Sequence, residues 1–232
     1  MTSPFSASVL EQRRASWDEL FESREWGKYP PEELIRFIAR SFPDSGQRKD
    51  KLILDLGCGT GACAWYLGRE GFTAHAIDGS ERAIEIARAR LKHEGYQDQV
   101  TCHVGGMENL PFAPNTFDAV IDICATGANP WADCLRIIEG VYRVLKPGGR
   151  YFGSFFAPGT SMPGAPFISE CGLYGKHDRG PLADAQTRLF SFKEMQDLFA
   201  AFTDFSIDRH LRTLNNQQYQ VELWNVSARK PE

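Results

Sequence analysis

The sequence predicts an α/β protein: a mainly parallel β-sheet with helices on both faces and a reversed strand at one end. Two observations support this fold class. Between residues 51 and 155, short apolar runs alternate with segments of helical periodicity, and runs that are apolar throughout are typical of parallel strands buried on both faces. Residues 205–214 and 219–228 are then two strand-like runs joined by NNQQ, which favours a hairpin over a crossover helix.

Five apolar runs are predicted to form the parallel strands, at residues 51–56, 73–77, 100–104, 117–124 and 150–155. A helix is expected directly after the first strand, over 62–69. Ser80 is a suitable N-cap for the next helix, in which Ile84, Ala87 and Leu91 share one face. Apolar residues spaced by three and four positions after the fourth strand predict a further helix.

Other segments flank or interrupt this core. Prolines and early glutamates in KYPPEELIRFIARSF (28–42) predict a helix, and Ser191 with Glu194 forms a capping box for a late one. Residues 156–190 are rich in Gly and Pro, and a connection of that length is usually functional. We therefore expect a single domain over 1–232, which divides into an N-terminal helical lid (1–45), a ligand-binding core (46–155), a loop or lid (156–190), and a C-terminal helix with a hairpin (191–232).

The composition argues against several classes of protein. The 232 residues are 42% hydrophobic and 24% charged, with a net charge of −4 and no long Lys/Arg run, so the cationic surface of a nucleic-acid or membrane-surface binder is missing. No apolar stretch approaches the roughly 20 residues of a membrane span. The six cysteines form no CxxC pair and no zinc-type cluster with histidine. We expect a cytoplasmic protein with reduced cysteines, no metal site and a small-molecule partner, and leave monomer and dimer open.

The stretch LILDLGCGTGA (52–62) places three glycines between a strand and a helix. Gly57, Gly59 and Gly61 expose backbone at the helix N-terminus, where a ligand can approach closely. Asp78 ends the second strand, 21 residues after Gly57, where a carboxylate can accept hydrogen bonds from a ribose diol. Through Ala62 the pattern also fits the dinucleotide motif G-x-G-x-x-A, which on its own is a weak indication.

Asp55 distinguishes a cationic nucleoside from a dinucleotide as the ligand. It lies two residues before Gly57, where a pyrophosphate against the glycine turn would meet a like charge. Two charges about 4 Å apart interact by roughly 4 kcal/mol at an effective dielectric constant near 20, so the carboxylate favours an ammonium or sulfonium group. S-adenosylmethionine carries both cations, and a ribose for Asp78. A dinucleotide site also needs a second mononucleotide-binding half, whereas this chain continues into a hairpin.

Five motifs in order resemble the class I S-adenosylmethionine-dependent methyltransferases over roughly residues 50–155: LDLGCGTG, the acid of IDGS, MENLPF, FDAVID and VLKPGGR. The resemblance implies a Rossmann-like, doubly wound, seven-stranded sheet, mostly parallel with an antiparallel last strand and with helices on both faces. It also implies S-adenosylmethionine as cofactor and S-adenosylhomocysteine as product. The activity it implies is methyl transfer to an oxygen, nitrogen or carbon atom of a small molecule.

The resemblance also implies a cofactor site, residue by residue. Asp55 would lie near the methionine amino group, Asp78 would bind the ribose hydroxyls, and Asp122 would line the far side of the cofactor. The family's acid for the adenine amino group aligns with Gly106, so adenine recognition would fall to backbone groups or to Glu108. The implied cofactor-binding residues are Asp55, Gly57, Cys58, Gly59, Thr60, Gly61, Asp78, Gly79, Met107, Glu108, Asp122 and Ile123.

Methyl transfer is an in-line displacement, for which near-attack positioning can supply roughly 7–11 kcal/mol without a dedicated base. The acceptor is expected over the C-terminal ends of the strands, with 156–190 as a substrate loop. The candidates for contact with it are Tyr29, Asn129, Trp131, His177 and Arg188. No catalytic residue is assigned, and the candidates are His177 and Tyr29.

Four of the acceptor candidates also have a purely structural interpretation, which for Asn129 is a plain turn role. Tyr29 is either a lid or an aromatic packed at a helix start. His177 is either a general base or a surface histidine, and Arg188 either pairs with an acidic acceptor or anchors the loop. Two other functions also stay open for the whole chain. One is a binding module that holds the cofactor without catalysis, and the other, through G-x-G-x-x-A alone, is a nicotinamide-dependent oxidoreductase.

Overall fold

The computed structural model describes residues 7–182 and 185–232. The strands are β1 (Leu52–Leu56), β2 (Thr73–Asp78), β3 (Val100–Val104), β4 (Phe117–Ile123), β5 (Leu145–Phe156), β6 (Phe167–Ile168), β7 (Leu173–Tyr174), β8 (Thr203–Leu214) and β9 (Tyr219–Arg229). The helices are α1 (Ala7–Ser23), α2 (Glu32–Ser41), α3 (Ala62–Arg69), α4 (Glu81–Glu94), α5 (Trp131–Val144) and α6 (Phe192–Leu198). Within the described ranges, no helix combines the length and the apolar character needed to cross a bilayer.

Seven strands form one sheet in the order β3-β2-β1-β4-β5-β9-β8. β1 pairs in parallel with both β2 and β4, whereas β9 is antiparallel to β5 and to β8. The predicted fold class is therefore confirmed, with β9 as the reversed strand. The chain leaves β1 in one direction toward β2 and β3 and returns on the other side to β4, so a crevice opens at the C-terminal ends of β1 and β4.

Helices cover both faces of the sheet because the parallel strands are apolar on both sides. In β1, Ile53 belongs to the core cluster that contains residues of α2, α3 and α4, whereas the next residue, Leu54, belongs to the cluster of α5 and α6. Successive side chains of a strand point to opposite faces. Ile53 and Leu54 are both completely buried, as the continuous apolar run predicts.

Several local features follow the sequence closely. Ser80 caps α4 by accepting a hydrogen bond from Ala83 N–H, and the capping box of Ser191 and Glu194 is formed at α6. Other features were missed or misplaced. β5 begins at Leu145 instead of residue 150, and residues 156–190 contain the short β6–β7 hairpin instead of a loop alone. α1 extends over Ala7–Ser23, before the helix predicted from the prolines.

Two glycines with nearly the same positive φ allow steric crowding to be separated from backbone strain. Gly61 (φ +85°) begins α3, and a Cβ there would lie 2.9 Å from the Ala87 Cβ of α4. Gly71 (φ +87°) has nothing within 4 Å of the same position. Gly71→Ala is expected to lower the free energy of unfolding by about 1–2 kcal/mol, the cost of the left-handed conformation. Gly61→Ala should cost roughly 1–3 kcal/mol more because the helices must move apart.

Urea denaturation of the two variants measures this difference. Equal destabilisation would show that the close approach of α3 and α4 does not depend on the bare backbone at position 61.

Candidate functional site

A cavity of about 610 Å³ opens at the C-terminal ends of the central strands, at the crevice between β1 and β4. This is the size range of sites for small organic ligands. Its walls come from the loop after β1, the end of β2, residues 106–108 after β3, and residues 123–129 after β4. Residues 17–31 and 181–187 cover it from outside, apart from Ala183 and Asp184, which lie outside the described residues.

The glycine loop forms the floor of the cavity. Gly57 (φ +65°) and Gly59 (φ +50°) both have left-handed backbone conformations, which glycine adopts without strain. The backbone N–H groups of Gly57 and Cys58 donate to the carbonyl of Ile77 at 2.8 and 3.1 Å. A side chain at position 57 would overlap the methyl group of Ala125. The loop is therefore held against β2 and the segment after β4, with its remaining surface facing the cavity.

Asp55 lines the cavity as a buried carboxylate. It is 2% exposed, and its Oδ2 has no hydrogen-bond partner among the described residues. Burial raises its pKa to about 7, the backbone N–H of Ala64 opposes the rise, and the nearby carboxylates of Asp78 and Asp122 add to it. A buried carboxylate oxygen without a donor is costly, so this atom is placed for a hydrogen-bond donor supplied by a ligand.

Asp78 holds the glycine loop in addition to facing the cavity. Its Oδ2 accepts from the backbone N–H of Gly59 at 2.8 Å, and its Oδ1 accepts from that of Ser80 at 2.9 Å. Burial raises the pKa of Asp78, while these N–H groups and that of Gly79 oppose the rise. A carboxylate oxygen has more than one acceptor position, so both oxygens can also accept from a diol in the cavity.

Glu108 occupies the space that a side chain at position 106 would need. Gly106, Met107 and Glu108 all line the cavity. A Cβ built on Gly106 would overlap both carboxylate oxygens of Glu108. The carboxylate of residue 108 therefore folds back over residue 106, so an acid is present at this end of the cavity although position 106 carries none.

Nine of the twelve implied cofactor residues line the cavity, whereas Thr60, Gly61 and Asp122 do not. Asp122 is completely buried. Its Oδ1 accepts from the backbone N–H groups of Ala125 and Thr126, and its Oδ2 accepts from the hydroxyl of Tyr151 at 3.0 Å. The side chain thus braces the turn after β4 and does not line the cavity.

The acceptor candidates separate into two groups. Tyr29 and Asn129 line the cavity. The Tyr29 ring is 73% exposed and meets Trp65 edge-on at 5.7 Å, so it lies at the mouth of the cavity and is not buried in the core. Asn129 donates from Nδ2 to the carbonyls of Ala125 and Thr126 at 3.2 and 3.1 Å, which fixes its position at the cavity wall.

Trp131, His177 and Arg188 are not among the described residues that line the cavity. Arg188 pairs with Glu194, and its guanidinium lies 5.3 Å from the ring centroid of Trp131. This arrangement fits the loop-anchor interpretation. His177 contacts the carbonyl of Gly175 through Nδ1 at 3.3 Å.

Aromatic residues of the N-terminal segment cover the glycine loop, and two of them, Trp17 and Phe21, were not identified from the sequence. Trp17, Phe21 and Trp26 line the cavity and pack on one another, with ring centroids 5.1–6.3 Å apart. The Phe21 ring lies 3.5 Å from the position of a Cβ on Gly59. The spacing of four residues between Trp17 and Phe21 places both on one helix face and was an available signal.

Cys124 is a further cavity residue that the motifs did not indicate. It follows β4 with φ +61°, an uncommon conformation for a residue with a side chain. Burial, and then the carboxylate of Asp122, raise the pKa of its thiol to about 12. The thiol is therefore protonated at neutral pH. Phe156, Leu182 and Gln186 complete this side of the cavity.

Comparison with known proteins agrees with this architecture. Residues 53–149 match a family model described as a methyltransferase domain. A demethylmenaquinone methyltransferase from Symbiobacterium thermophilum is 32% identical over 138 residues, which are 58% of this chain and 51% of that protein. The biotin biosynthesis bifunctional protein BioHC from Teredinibacter turnerae is 34% identical over 137 residues, 55% of this chain and 22% of that protein. The matches thus span about half or less of these curated relatives.

Solved structures share the fold. A SAM-dependent methyltransferase from Methanosarcina mazei has a TM-score of 0.65 at 23% identity and covers 78% of this chain and 92% of that one. Phosphoethanolamine N-methyltransferase 2 from Haemonchus contortus has a TM-score of 0.65 at 19% identity, covering 87% and 53%. The matched methyltransferase domain over residues 53–149, the reversed β9 and the glycine loop thus support a class I S-adenosylmethionine-dependent methyltransferase, and the solved structures share its fold.

Proposed function

We propose that this chain transfers the methyl group of S-adenosylmethionine to an oxygen, nitrogen or carbon atom of a small-molecule acceptor. The observation that carries the proposal is the buried Oδ2 of Asp55, which faces the cavity without a donor among the described residues. An ammonium group is the donor that this atom suits best, because it supplies hydrogen bonds and a compensating charge together.

The charge distribution of the cavity supports a cationic ligand. Among the described residues that line it, the acidic side chains are Glu25, Asp55, Asp78 and Glu108, and the basic one is Arg24. A pyrophosphate on the glycine loop would lie close to both Asp55 and Asp78. The field of these carboxylates disfavours a nicotinamide dinucleotide and favours a ligand with ammonium and sulfonium groups.

The order of the cavity residues gives the cofactor one orientation. Asp55 and Gly57 would hold the methionine portion, Asp78 the ribose diol, and the 106–108 segment the adenine. The cofactor supplies an electrophilic methyl group on sulfur. With the ligand in this orientation, the end of β4 faces the sulfur, so Cys124 and Asn129 form the wall on the acceptor side.

This wall positions the acceptor and does not activate it through a base. The thiol of Cys124 is protonated at neutral pH because its pKa is raised to about 12. His177 is not among the described residues that line the cavity. Holding acceptor and methyl group in near-attack contact can contribute roughly 7–11 kcal/mol. Catalysis would therefore rest on proximity, on orientation and on an acceptor atom that is already nucleophilic.

The relatives support a small molecule as acceptor, since one is a demethylmenaquinone methyltransferase. A cytoplasmic location is part of the proposal and fits the six cysteines, for which the structure describes no disulfide.

The first test compares ligands by thermal shift. S-adenosylmethionine and S-adenosylhomocysteine at about 100 times Kd should raise Tm by roughly 5–10 °C, and NADH should not raise it. Incubation with S-adenosylmethionine and a panel of small-molecule acceptors should then release S-adenosylhomocysteine. Stabilisation by NADH instead would contradict the proposal, and tight binding without turnover on any acceptor would favour a non-catalytic binding module.

Asp55→Asn tests the ammonium contact. It should weaken binding of S-adenosylhomocysteine by about 10–100-fold, the loss of a charge-assisted hydrogen bond. Methylthioadenosine lacks the amino-acid portion and serves as the control ligand, and its affinity should not change. In the unmodified protein, the affinity for S-adenosylhomocysteine should fall as pH decreases through 7, because Asp55 becomes protonated. Calorimetric titration measures these affinities.

Asp55→Asn is expected to weaken ligand binding but to stabilise the fold of the ligand-free protein. The pKa of Asp55 is about 7 in the fold against 3.8 for an ordinary carboxyl, so the native state holds this proton more tightly than the unfolded chain. The stability that this proton contributes is present below pH 4 and is lost as pH rises through 7. Asp55→Asn should therefore be more stable than the unmodified protein at pH 8, by up to about 4 kcal/mol, and equally stable at pH 4.

Glu108→Gln tests recognition of the adenine. S-inosylhomocysteine carries a carbonyl oxygen in place of the exocyclic amine, so it would repel the Glu108 carboxylate. The unmodified protein should prefer S-adenosylhomocysteine by about tenfold or more, and Glu108→Gln should lose most of this preference because an amide can donate to the carbonyl. A preference that survives the substitution would assign adenine recognition to backbone groups.

A further inference from the structure

One carboxylate ties the N-terminal helix to the cavity. Asp18 of α1 accepts hydrogen bonds from the hydroxyl of Ser80 and from the backbone N–H of Arg82, the latter at 3.2 Å. Both donors belong to the start of α4, directly after Asp78 and Gly79 of the cavity wall. Because the first N–H groups of a helix lack partners within it, Asp18 completes the cap of α4 from a different helix.

The residues beside Asp18 form the cover over the cavity. Phe21 packs against the bare face of Gly59, and Trp17 lines the cavity on the same helix. Trp17 also borders a small gap together with Ala128 and Gln186 on the opposite side. α1 therefore reaches from the glycine loop to the segment that covers the acceptor side, and a ligand bound on the glycine loop would lie beneath it.

The charge of Asp18 lies close to that of Asp78. Its charge contributes to the raised pKa of Asp78, after burial and against the N–H groups that Asp78 accepts from. Two carboxylates close together repel each other, and the positive end of α4 offsets this repulsion. The contact between Asp18 and α4 is thus a specific arrangement of charge and donors, and the hydrophobic packing of α1 does not require it.

We propose that Asp18 is a positioning residue that holds α1 closed over the bound cofactor and sets the rate at which the cofactor leaves. The inference rests on the proposed function, since it takes S-adenosylmethionine or its product as the enclosed ligand. Opening the cover breaks the two hydrogen bonds to Ser80 and Arg82 and exposes the aromatic face of α1. In the closed state the same bonds keep Phe21 against the glycine loop.

The test is the dissociation rate of S-adenosylhomocysteine, followed by stopped-flow tryptophan fluorescence. Trp17 and Trp26 line the cavity and report its occupancy. Asp18→Ala should release the ligand about tenfold faster or more, the effect of losing one to two charge-assisted hydrogen bonds. Asp18→Asn should stay within about threefold of the unmodified protein, because its amide oxygen can accept the same hydrogen bonds. Glu22→Ala, an exposed acid of the same helix, is the matched control and should leave the rate unchanged.

A rate for Asp18→Ala equal to that of the unmodified protein would overturn the inference, as would an Asp18→Asn variant as fast as Asp18→Ala. If Asp18→Ala does not fold by circular dichroism, Ser80→Ala removes the hydroxyl donor and should still speed release, and an unchanged rate would overturn the inference. Failure of the unmodified protein to bind S-adenosylhomocysteine would instead refute the proposed function, and this inference with it.

Discussion

The site depends on a carboxylate that is shielded from water and has, among the residues described, no donor for one of its oxygens. β1 is buried on both faces because helices cover the sheet on both sides. Asp55 is therefore buried as well, near the end of the strand. The neighbouring Asp78 faces the same space but is held by two backbone N–H groups. The two acids therefore differ: Asp78 holds the glycine loop, whereas Asp55 has an oxygen that no described group satisfies.

The three glycines of the loop also have different structural roles, although they are equivalent positions of one sequence motif. Gly57 has no room for a side chain because Ala125 lies against it, and Gly59 provides the flat surface on which Phe21 rests. Gly61 does not line the cavity but allows α3 to approach Ala87 of α4. A single short sequence thus fixes a binding surface, a contact with the cover and the packing of two helices.

The fold could be predicted from the sequence to a large extent because each parallel strand is a continuous apolar run and the tail has the pattern of a hairpin. The sequence was less informative where contacts between distant segments decide the structure. Asp122 has the sequence context of a cofactor residue, yet Tyr151 and the turn after β4 use both its oxygens. For Arg188 the sequence left two interpretations open, and its ion pair with Glu194 fits the loop anchor. The role of Trp17 depends on how α1 packs against α4 and over the cavity, which local periodicity does not specify.

The order of the strands has a consequence for how the chain acquires its structure. β9 lies between β5 and β8, so β8 has no partner in the sheet until the segment that follows it has emerged and inserted. During synthesis, β1–β5 can assemble first. Until β9 has been made, β8 has no strand to pair with and its edge is exposed. Pairing of β5 with β9 joins Phe156 to Leu223 and Arg150 to Arg229, contacts of long sequence separation that form slowly. This half of the sheet is therefore expected to complete last and to be the part most exposed to aggregation on the ribosome.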